Sequence, residues 1–537
     1  VKGPRAVADL MVVGTGSSLD GVQILPGLRW ISRPGLEQPQ SGGVRARPES
    51  IVQTVHATDA RADGPSATEE SALAGLLARY GTAGPRYTSY PTAPHFHPGI
   101  GDREWRAELA RPADAGRGLS LYVHVPFCDS LCYYCGCNMV ATRRYDKVAP
   151  YLEALEAEMS TVAAGIEPGR KVRQLHWGGG TPTYLSPADI LRLMEAIAER
   201  FDIDTDAERS CEADPRELTH EHLQALRQAG FNRISFGVQD LDPSVQRAIN
   251  RIQPPEMIDQ VYRWARELGF SSINMDLITG LPLQTPESFA PTLERVIEWG
   301  PDRVAVFGYA HVPWMKRHQR LIREADLPDL ATRLRLGGMV HRGLSEAGYV
   351  DIGLDHFARP SDEMVVAQGK KTLWRNFQGY TTHKDCDVLA FGASAISQTE
   401  GLYVQNERSL RSYQQRVAAG GLAVERGVRV SREDRIRRDA ITRVMCDLEL
   451  DLDALGRDWA ADLRPRFAES WSRLDPLHAD GLVEVEGWHL RVTPVGRRFL
   501  RNVAMCFDTY LHAAVSEPVA GDGSAVSLPR PRYSLTA

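Results

Sequence analysis

From Leu121 onward the chain alternates short apolar runs with amphipathic stretches, and this rhythm limits its fold more than any other feature. The runs are Leu121–Val125, Gln174–Trp177, Glu208–Glu212, Arg233–Val238, Ile273–Ile278 and Val304–Tyr309. They have the length of strands and are too short for helices. Between them, apolar residues recur at helical spacing. Val148, Tyr151, Leu152, Leu155, Met159 and Val162 fall on one helical face, and similar patterns span 187–200, 218–229, 255–268 and 285–298. Strands separated by helices run parallel, because re-entering a sheet in the same direction needs a crossover. Six such units, spaced by about 30–35 residues, predict an α/β fold, a partial or complete (β/α) barrel. Chemistry in such barrels gathers at the C-terminal ends of the strands. Distinctive residues fall there after five of the six runs: a group of cysteines after the first, Gly178-Gly179-Gly180 after the second, Gln239 after the fourth, Gly280 after the fifth and Ala310-His311 after the sixth.

The flanks read differently. Residues 1–68 are rich in Gly, Pro, Ser and Arg, and are expected to be a disordered extension. Residues 69–118 are expected to pack on the barrel, which with a following αβ segment (328–357) and a loop-rich stretch extends over 119–400. Residues 401–515 are expected to form a small C-terminal α+β domain. In it, helical patterns from about 430 precede a hairpin made of Leu482–Val485, a Glu-Gly turn at 486–487 and Leu490–Val492. That order is winged-helix-like. Winged helices often bind DNA, but a chain of net charge −6 without a basic stripe suits packing better than nucleic acid. Residues 516–537 are expected to be a flexible tail. No apolar run approaches the roughly 20 residues of a membrane span. The run Ala8–Val13 is short, is broken by Asp9 and makes no signal peptide. A cytoplasmic monomer is expected.

Four of the eight cysteines lie in Cys128-Asp-Ser-Leu-Cys132-Tyr-Tyr-Cys135-Gly-Cys137, and the others are scattered. A disulfide framework would be spaced more evenly. Zinc sites usually pair two separated knuckles, and bacterial ferredoxins use a different spacing. The x3, x2 spacing suits three corners of a 4Fe-4S cube whose fourth iron lacks a thiolate. The amino and carboxylate groups of a methionine moiety can chelate that iron, and one electron can then cleave a sulfonium. A buried or zinc-binding cysteine group is the competing reading.

The surroundings make the motif specific. Leu121-Tyr-Val-His-Val-Pro-Phe-Cys128, His176-Trp-Gly-Gly-Gly-Thr-Pro-Thr183, Glu212-Ala-Asp-Pro-Arg-Glu217, Phe236-Gly-Val-Gln-Asp240 and Asp276-Leu-Ile-Thr-Gly-Leu-Pro282 resemble one radical S-adenosylmethionine (SAM) family. So do Tyr309-Ala-His311, Asp355-His-Phe-Ala-Arg-Pro360 and Asn376-Phe-Gln-Gly-Tyr-Thr-Thr382. The family is the oxygen-independent coproporphyrinogen III oxidases. The resemblance runs from about Leu76, through Gly84-Pro-Arg-Tyr-Thr-Ser-Tyr-Pro-Thr92, to Met505-Cys-Phe-Asp-Thr-Tyr-Leu511. It implies a barrel of radical SAM type, a 4Fe-4S cluster and SAM as cofactors, and coproporphyrinogen III as substrate. It also implies an electron donor and an acceptor, which the sequence does not identify. Two propionates become vinyl groups, each losing CO2 and two electrons, to give protoporphyrinogen IX. A propionate β C–H bond is not acidic, so a carbon radical rather than a side-chain base must break it.

Residue by residue, the resemblance implies cluster ligation by Cys128, Cys132 and Cys135. It implies SAM contacts by Tyr122, Tyr134, Gly178, Gly179, Gly180, Glu212, Gln239, Arg251 and Asp276, with apolar contacts from Ala310 and Ile396. Read without it, the tyrosines would be barrel packing, the glycines a turn, Arg251 a solvated helix-surface residue, and Ala310 and Ile396 ordinary core. Cys137 is implied to lie near the site without binding the cluster, and a catalytic or substrate-side role is expected of it. Arg86 and Arg359 are candidates for the substrate's carboxylates, on the chemistry of four propionates. The rival reading is a related haem chaperone. Such relatives typically carry Phe where this chain has Cys137, and they lack the Gly84–Thr92 segment.

Overall fold

The computed structural model describes residues 67–512 except Ala115, with side chains from Leu73. The expected disorder before Ala67 and the expected flexible tail fall outside the described residues. Ala67 and Thr68 themselves open a helix, α1 (Ala67–Tyr80).

The six expected strands form and run parallel in chain order: β1 (Gly118–Val125), β2 (Lys171–Gly179), β3 (Asp202–Ala213), β4 (Arg233–Gln239), β5 (Ser272–Thr279) and β6 (Arg303–Gly308). The crossover helices cover their outer face. Serine and threonine caps start several of them. Ser186 Oγ accepts from the Asp189 amide at 3.2 Å, ahead of the helix Pro187–Ala198. On β1, Leu119, Leu121, Val123 and Val125 are fully buried, and they share one core with Leu152, Leu155 and Met159 of the helix Val148–Gly165.

Alternate residues point the other way and are polar. Ser120 Oγ donates to Gln174 Oε1 (2.8 Å), whose amide nitrogen donates to Glu208 Oε1 (2.8 Å). Strand alternation thus gives this barrel an apolar outside and a hydrogen-bonded inside, which suits a binding cleft better than a packed core.

Of the two expected barrels the partial one forms. After β6 the sheet does not return to β1. It continues into two short strands, β7 (Val350–Gly353) and β8 (His356–Ala358), with β8 antiparallel to β6. On the opposite flank a strand lies within the stretch expected to be loop-rich. β9 (Cys386–Phe391) is buried at every position and runs parallel to β1, with Leu121 opposite Leu389. Antiparallel strands β10 (Ile396–Gln398), β11 (Leu402–Asn406) and β12 (Val424–Arg429) complete a twelve-stranded sheet, ordered β12-β11-β10-β9-β1-β2-β3-β4-β5-β6-β8-β7. Residues 401–429 therefore extend the main sheet rather than the C-terminal domain.

That domain is built around a helix (Arg432–Asp447) and a three-stranded sheet of β13 (Glu449–Asp451), β14 (Val483–Glu486) and β15 (His489–Val492), in the order β13-β15-β14. The hairpin turn falls one residue later than expected, at Gly487-Trp488, where Gly487 takes φ 58°. Leu77, Tyr87 and Tyr90 share its core with Ile436, Leu490 and Phe507. Only the later part of 69–118, with Trp105 and Leu109, packs into the barrel core as expected. The Gly84–Thr92 segment is clamped from the C-terminal side. Arg501 donates to the carbonyls of Gly84 and Pro85, and Tyr87 Oη donates to Asp508 at 2.9 Å.

Candidate active site

The cysteine loop leaves the C-terminal end of β1. Its base is closed by a short parallel bridge between Phe127–Cys128 and Val140–Ala141. Each of its first three sulfurs has a polar neighbour. Cys128 Sγ lies 3.4 Å from Thr181 Oγ1, and Cys135 Sγ accepts from the Cys137 amide at 3.4 Å. Cys132 Sγ accepts from Arg216 Nη2 (3.4 Å) and Arg251 Nη1 (3.5 Å). Hydrogen bonds and positive charge directed at sulfur are what a thiolate-ligated cluster requires. Among the described residues no three His, Cys, Asp or Glu side chains converge as a single metal ion demands. A 4Fe-4S cube takes its three thiolates at separate corners, a demand that three cysteines on one loop can meet. Cys137 differs from the other three in being an exposed residue.

Beside the loop, the glycine run ending β2 forms a cradle. A Cβ on Gly178 would lie 3.0 Å from the Glu212 carboxyl group, and one on Gly179 2.7 Å from the His124 ring. On Gly180 it would lie 2.6 Å from the Pro126 carbonyl oxygen. Gly179 also takes φ 122°, so this run does what other residues cannot.

Glu212, at the end of β3, faces this cradle. It accepts from the Gly179 amide (3.2 Å) and lies 3.4 Å from His176 Nε2. Protein surrounds the carboxylate, yet 46% of its side-chain surface stays open to the cleft. Burial pushes its pKa up, but the His176 hydrogen bond and charge and the Gly179 amide outweigh this and hold it below the ordinary value. Asp276 on β5 moves the other way. Burial first, and then the Glu212 charge, raise it to about 6, against the hydrogen bonds donated by Ser235 and Asn274. Tyr122 stacks on His176 at 5.8 Å, and its hydroxyl lies 3.2 Å from His124 Nδ1. β1, β2, β3 and β5 thus bring Tyr122, Gly178–Gly180, Glu212 and Asp276 to one polar cleft.

Arg251 is not a solvated surface residue. It is 5% exposed, with Nη1 on Asp214 (3.0 Å), Nη2 on the Gly237 carbonyl (2.7 Å) and Nε on Gln253 (3.0 Å). Its carboxylate partner is therefore Asp214, which also binds Arg216 at 2.6 Å. Burial raises the Asp214 pKa, but the Arg251 charge and the Arg216 hydrogen bond dominate and hold it at about 2. Gln239 ends β4 in the left-handed region, φ 65°, and is largely buried. Tyr134 packs with Tyr309 and Ile322, while Gln319 Nε2 donates to its carbonyl at 2.9 Å. Ala310 is exposed just after β6, and its carbonyl accepts from the same Gln319 amide. Ile396 sits on β10 in a separate apolar group with Phe377 and Phe96. The two residues expected to make apolar contacts therefore lie on opposite flanks of the sheet.

Of the two carboxylate-binding candidates, Arg86 pairs with Asp355 and stands 5.9 Å from the Phe307 ring near the end of β6. Arg359 is at the wrong end of the sheet. β8 runs antiparallel to β6, so its C-terminal end points to the N-terminal ends of the parallel strands. There Arg359 stacks on Tyr349 (4.5 Å), and its amide donates to the Asp302 carbonyl (2.9 Å). Sequence reasoning gave no role to His124, His176, Asp214, Arg216 and Gln319. The two histidines could have been found by strand alternation, each standing two residues from a singled-out position on its strand.

Comparison with known proteins follows the same lines. Residues 122–296 match the Radical SAM superfamily, and residues 430–499 match the HemN C-terminal domain. The oxygen-independent coproporphyrinogen III oxidase of Escherichia coli strain K12 is 49% identical over 436 residues, covering 81% of this chain and 95% of that protein. The enzyme of the same name from Pseudomonas aeruginosa is 45% identical over 440 residues, 82% of this chain and 96% of its own length. Among solved structures, the Escherichia coli coproporphyrinogen III oxidase (HemN), described as a radical SAM enzyme, superposes with a TM-score of 0.77. It is 49% identical and covers 79% of this chain and 97% of its own.

Proposed function

This chain belongs to the oxygen-independent coproporphyrinogen III oxidases, and from that premise we propose the roles by which its residues convert two propionates of coproporphyrinogen III to vinyl groups. The observation that carries the reading is the set of thiols at Cys128, Cys132 and Cys135, with guanidinium groups directed at Cys132, beside a glycine cradle floored by carboxylates. When bound, the cluster and SAM supply a primary carbon radical able to take a hydrogen atom from an unactivated propionate β-carbon.

The chain's own work is to hold and exclude. Cys128, Cys132 and Cys135 would ligate three irons. Gly178–Gly180 would let backbone approach the methionine moiety, and Glu212, Gln239 and Asp276 would take the ribose hydroxyls and the amino group. Arg251 would act through charge, since its donors are committed to Asp214, Gln253, Gly237 and Cys132. Tyr122 and Tyr134 would wall the cleft beside the loop, and Ala310 and Ile396 its two flanks. Cys137, the exposed cysteine of the loop, would face the substrate, with Arg86 exchanging Asp355 for a propionate. In this reading the enzyme is a monomer of the cytoplasm. Among the described residues no helix is long and apolar enough to cross a membrane.

An anaerobic assay tests the reading: reconstituted protein, SAM, a reductant and coproporphyrinogen III, with products read by mass. A monovinyl intermediate followed by protoporphyrinogen IX, with 5′-deoxyadenosine formed in step, is expected. Tight haem binding without decarboxylation would support the chaperone instead.

A further inference from the structure

The cleft accounts for the inner side of the cysteine loop. Its outer side is covered by a segment with a different composition. Residues 312–323 leave β6 and pack against the loop's backbone through three contacts. Lys316 Nζ donates to the Cys137 carbonyl (2.8 Å), His318 Nε2 lies 2.7 Å from the Cys135 carbonyl, and Gln319 Nε2 donates to that of Tyr134. Gln319 and Ile322 are buried and anchor the segment. Its outward side chains are apolar and basic. Trp314, Met315 and Leu321 are 55%, 65% and 58% exposed, a concentration of large apolar residues that a surface without a partner seldom carries. Arg317, Arg320 and Arg323 stand among them with no acidic residue before Glu324, and of these Arg323 pairs with Asp326 at 3.6 Å. Arg317 and Arg320 are exposed and form no ion pair among the described residues. In a chain of net charge −6 this is a local reversal of sign, placed against two of the cysteine carbonyls.

We propose that residues 312–323 are the landing surface for an acidic protein that carries one electron. The inference rests on the reaction proposed above, which consumes an electron at the cluster. In the encounter the reduced carrier loses one electron and the cluster gains it. No bond is made or broken and no other co-reactant is needed. A transient electron-transfer contact is small, so a patch of this size suffices. Aromatic, methionine and arginine side chains are the types enriched where protein surfaces meet. The basic rim would steer an acidic partner and set its orientation, and salt would weaken it. The anchoring hydrogen bonds bring such a partner over Cys135 and Cys137 rather than over the distant ends of the sheet.

The test uses a plant-type 2Fe-2S ferredoxin as the acidic probe, with the double variant Arg317→Glu/Arg320→Glu and, separately, Trp314→Ser. Calorimetry measures binding of the oxidised probe to the full chain. Release of 5′-deoxyadenosine without substrate measures electron delivery, driven either by the reduced probe or by dithionite, which needs no docking. At low ionic strength the double variant should weaken binding and slow probe-driven release by about tenfold or more. Added salt should lower the wild-type values, and Trp314→Ser should move both in the same direction. Dithionite-driven release, measured with excess reductant and at high ionic strength so that steering of the dithionite anion is screened, should stay within roughly twofold, because a small reductant needs no docking. Unchanged binding and unchanged probe-driven release would overturn the proposal. So would an equal loss with dithionite, which would mean that the segment supports the cofactor site. A loss confined to assays with coproporphyrinogen III would mean that it holds substrate carboxylates. If wild-type protein releases no 5′-deoxyadenosine even with dithionite, the reaction itself is misread, while calorimetry still judges the surface.

Discussion

Replacing Asp276 by asparagine should stabilise the fold while damaging the site. The two acceptors on this side chain are occupied by Asn274 Nδ2 and Ser235 Oγ at 2.8 and 2.9 Å. An asparagine can keep both contacts, accepting from Asn274 and donating to the serine oxygen. What it removes is a carboxylate that burial and the nearby Glu212 charge raise from 3.8 to about 6. The sign follows from linkage: a folded-state value above the unfolded one favours the protonated form. The native state is therefore unpenalised below pH 4 and progressively penalised as pH rises through 6. Two units correspond to about 3 kcal/mol as an upper bound. Water in the cleft screens the part due to Glu212, so about 1–2 kcal/mol is the expected gain at pH 8. Anaerobic urea titrations of wild type and Asp276→Asn between pH 4 and 8 measure it. The variant's advantage should be small at pH 4, grow to about pH 6.5 and then stay level, while its SAM affinity falls. A variant equal to or weaker than wild type at pH 8, or a difference that does not change with pH, would refute the argument.

Other substitutions separate the loop's thiols and its cradle. Cys132→Ser should abolish iron content and SAM cleavage together; four irons per chain retained in the anaerobically reconstituted variant would remove Cys132 from the ligand set. Cys137→Ser should keep the cluster and SAM binding but lower product formation at least tenfold, a gap read by mass and iron content on the same samples. Gly180→Ala should cost about 1–3 kcal/mol and weaken SAM binding, because the new methyl would meet backbone at Pro126 that cannot rotate away, and calorimetric unfolding measures this.

Much of this architecture was readable because period-2 strands and period-3.6 helices leave distinct patterns. What escaped lies where those patterns are shared. β9 was missed although Val388-Leu-Ala-Phe391 is as apolar as the strands that were found. It lies beyond the βα rhythm and joins the sheet beside β1, some 270 positions earlier in the chain, as the Arg117–Asp387 pair shows. Long-range pairing of that kind leaves no local mark. Arg359 failed for a different reason. A strand's C-terminal end marks the reactive face only when the strand is parallel, and β8 is not. Arg251 looked like a surface residue because burial of a guanidinium depends on a distant carboxylate, here Asp214, that periodicity cannot register.

That buried group also bears on the proposed ligation, in which three thiolates would share one loop. Asp214, Arg216 and Arg251 together carry one net positive charge, with both guanidinium groups reaching Cys132 Sγ. Burying such charges costs several kcal/mol per ion, and apolar packing would often serve the fold as well or better. Stability alone therefore gives little reason for two arginines around one aspartate. The surplus charge would have a use beside sulfurs that, in the proposed ligation, must be anionic to bind iron. Asp214 supplies only half of what would neutralise its partners, and the remainder is directed at the ligand loop. Replacing Asp214 with a neutral residue would free Arg216 to swing away while Gly237 and Gln253 still hold Arg251, whereas replacing either arginine would leave the thiolates with less opposing charge. The arrangement makes sense as electrostatic support for a metal cluster, and it is the part of the site that reading the ligands alone leaves out.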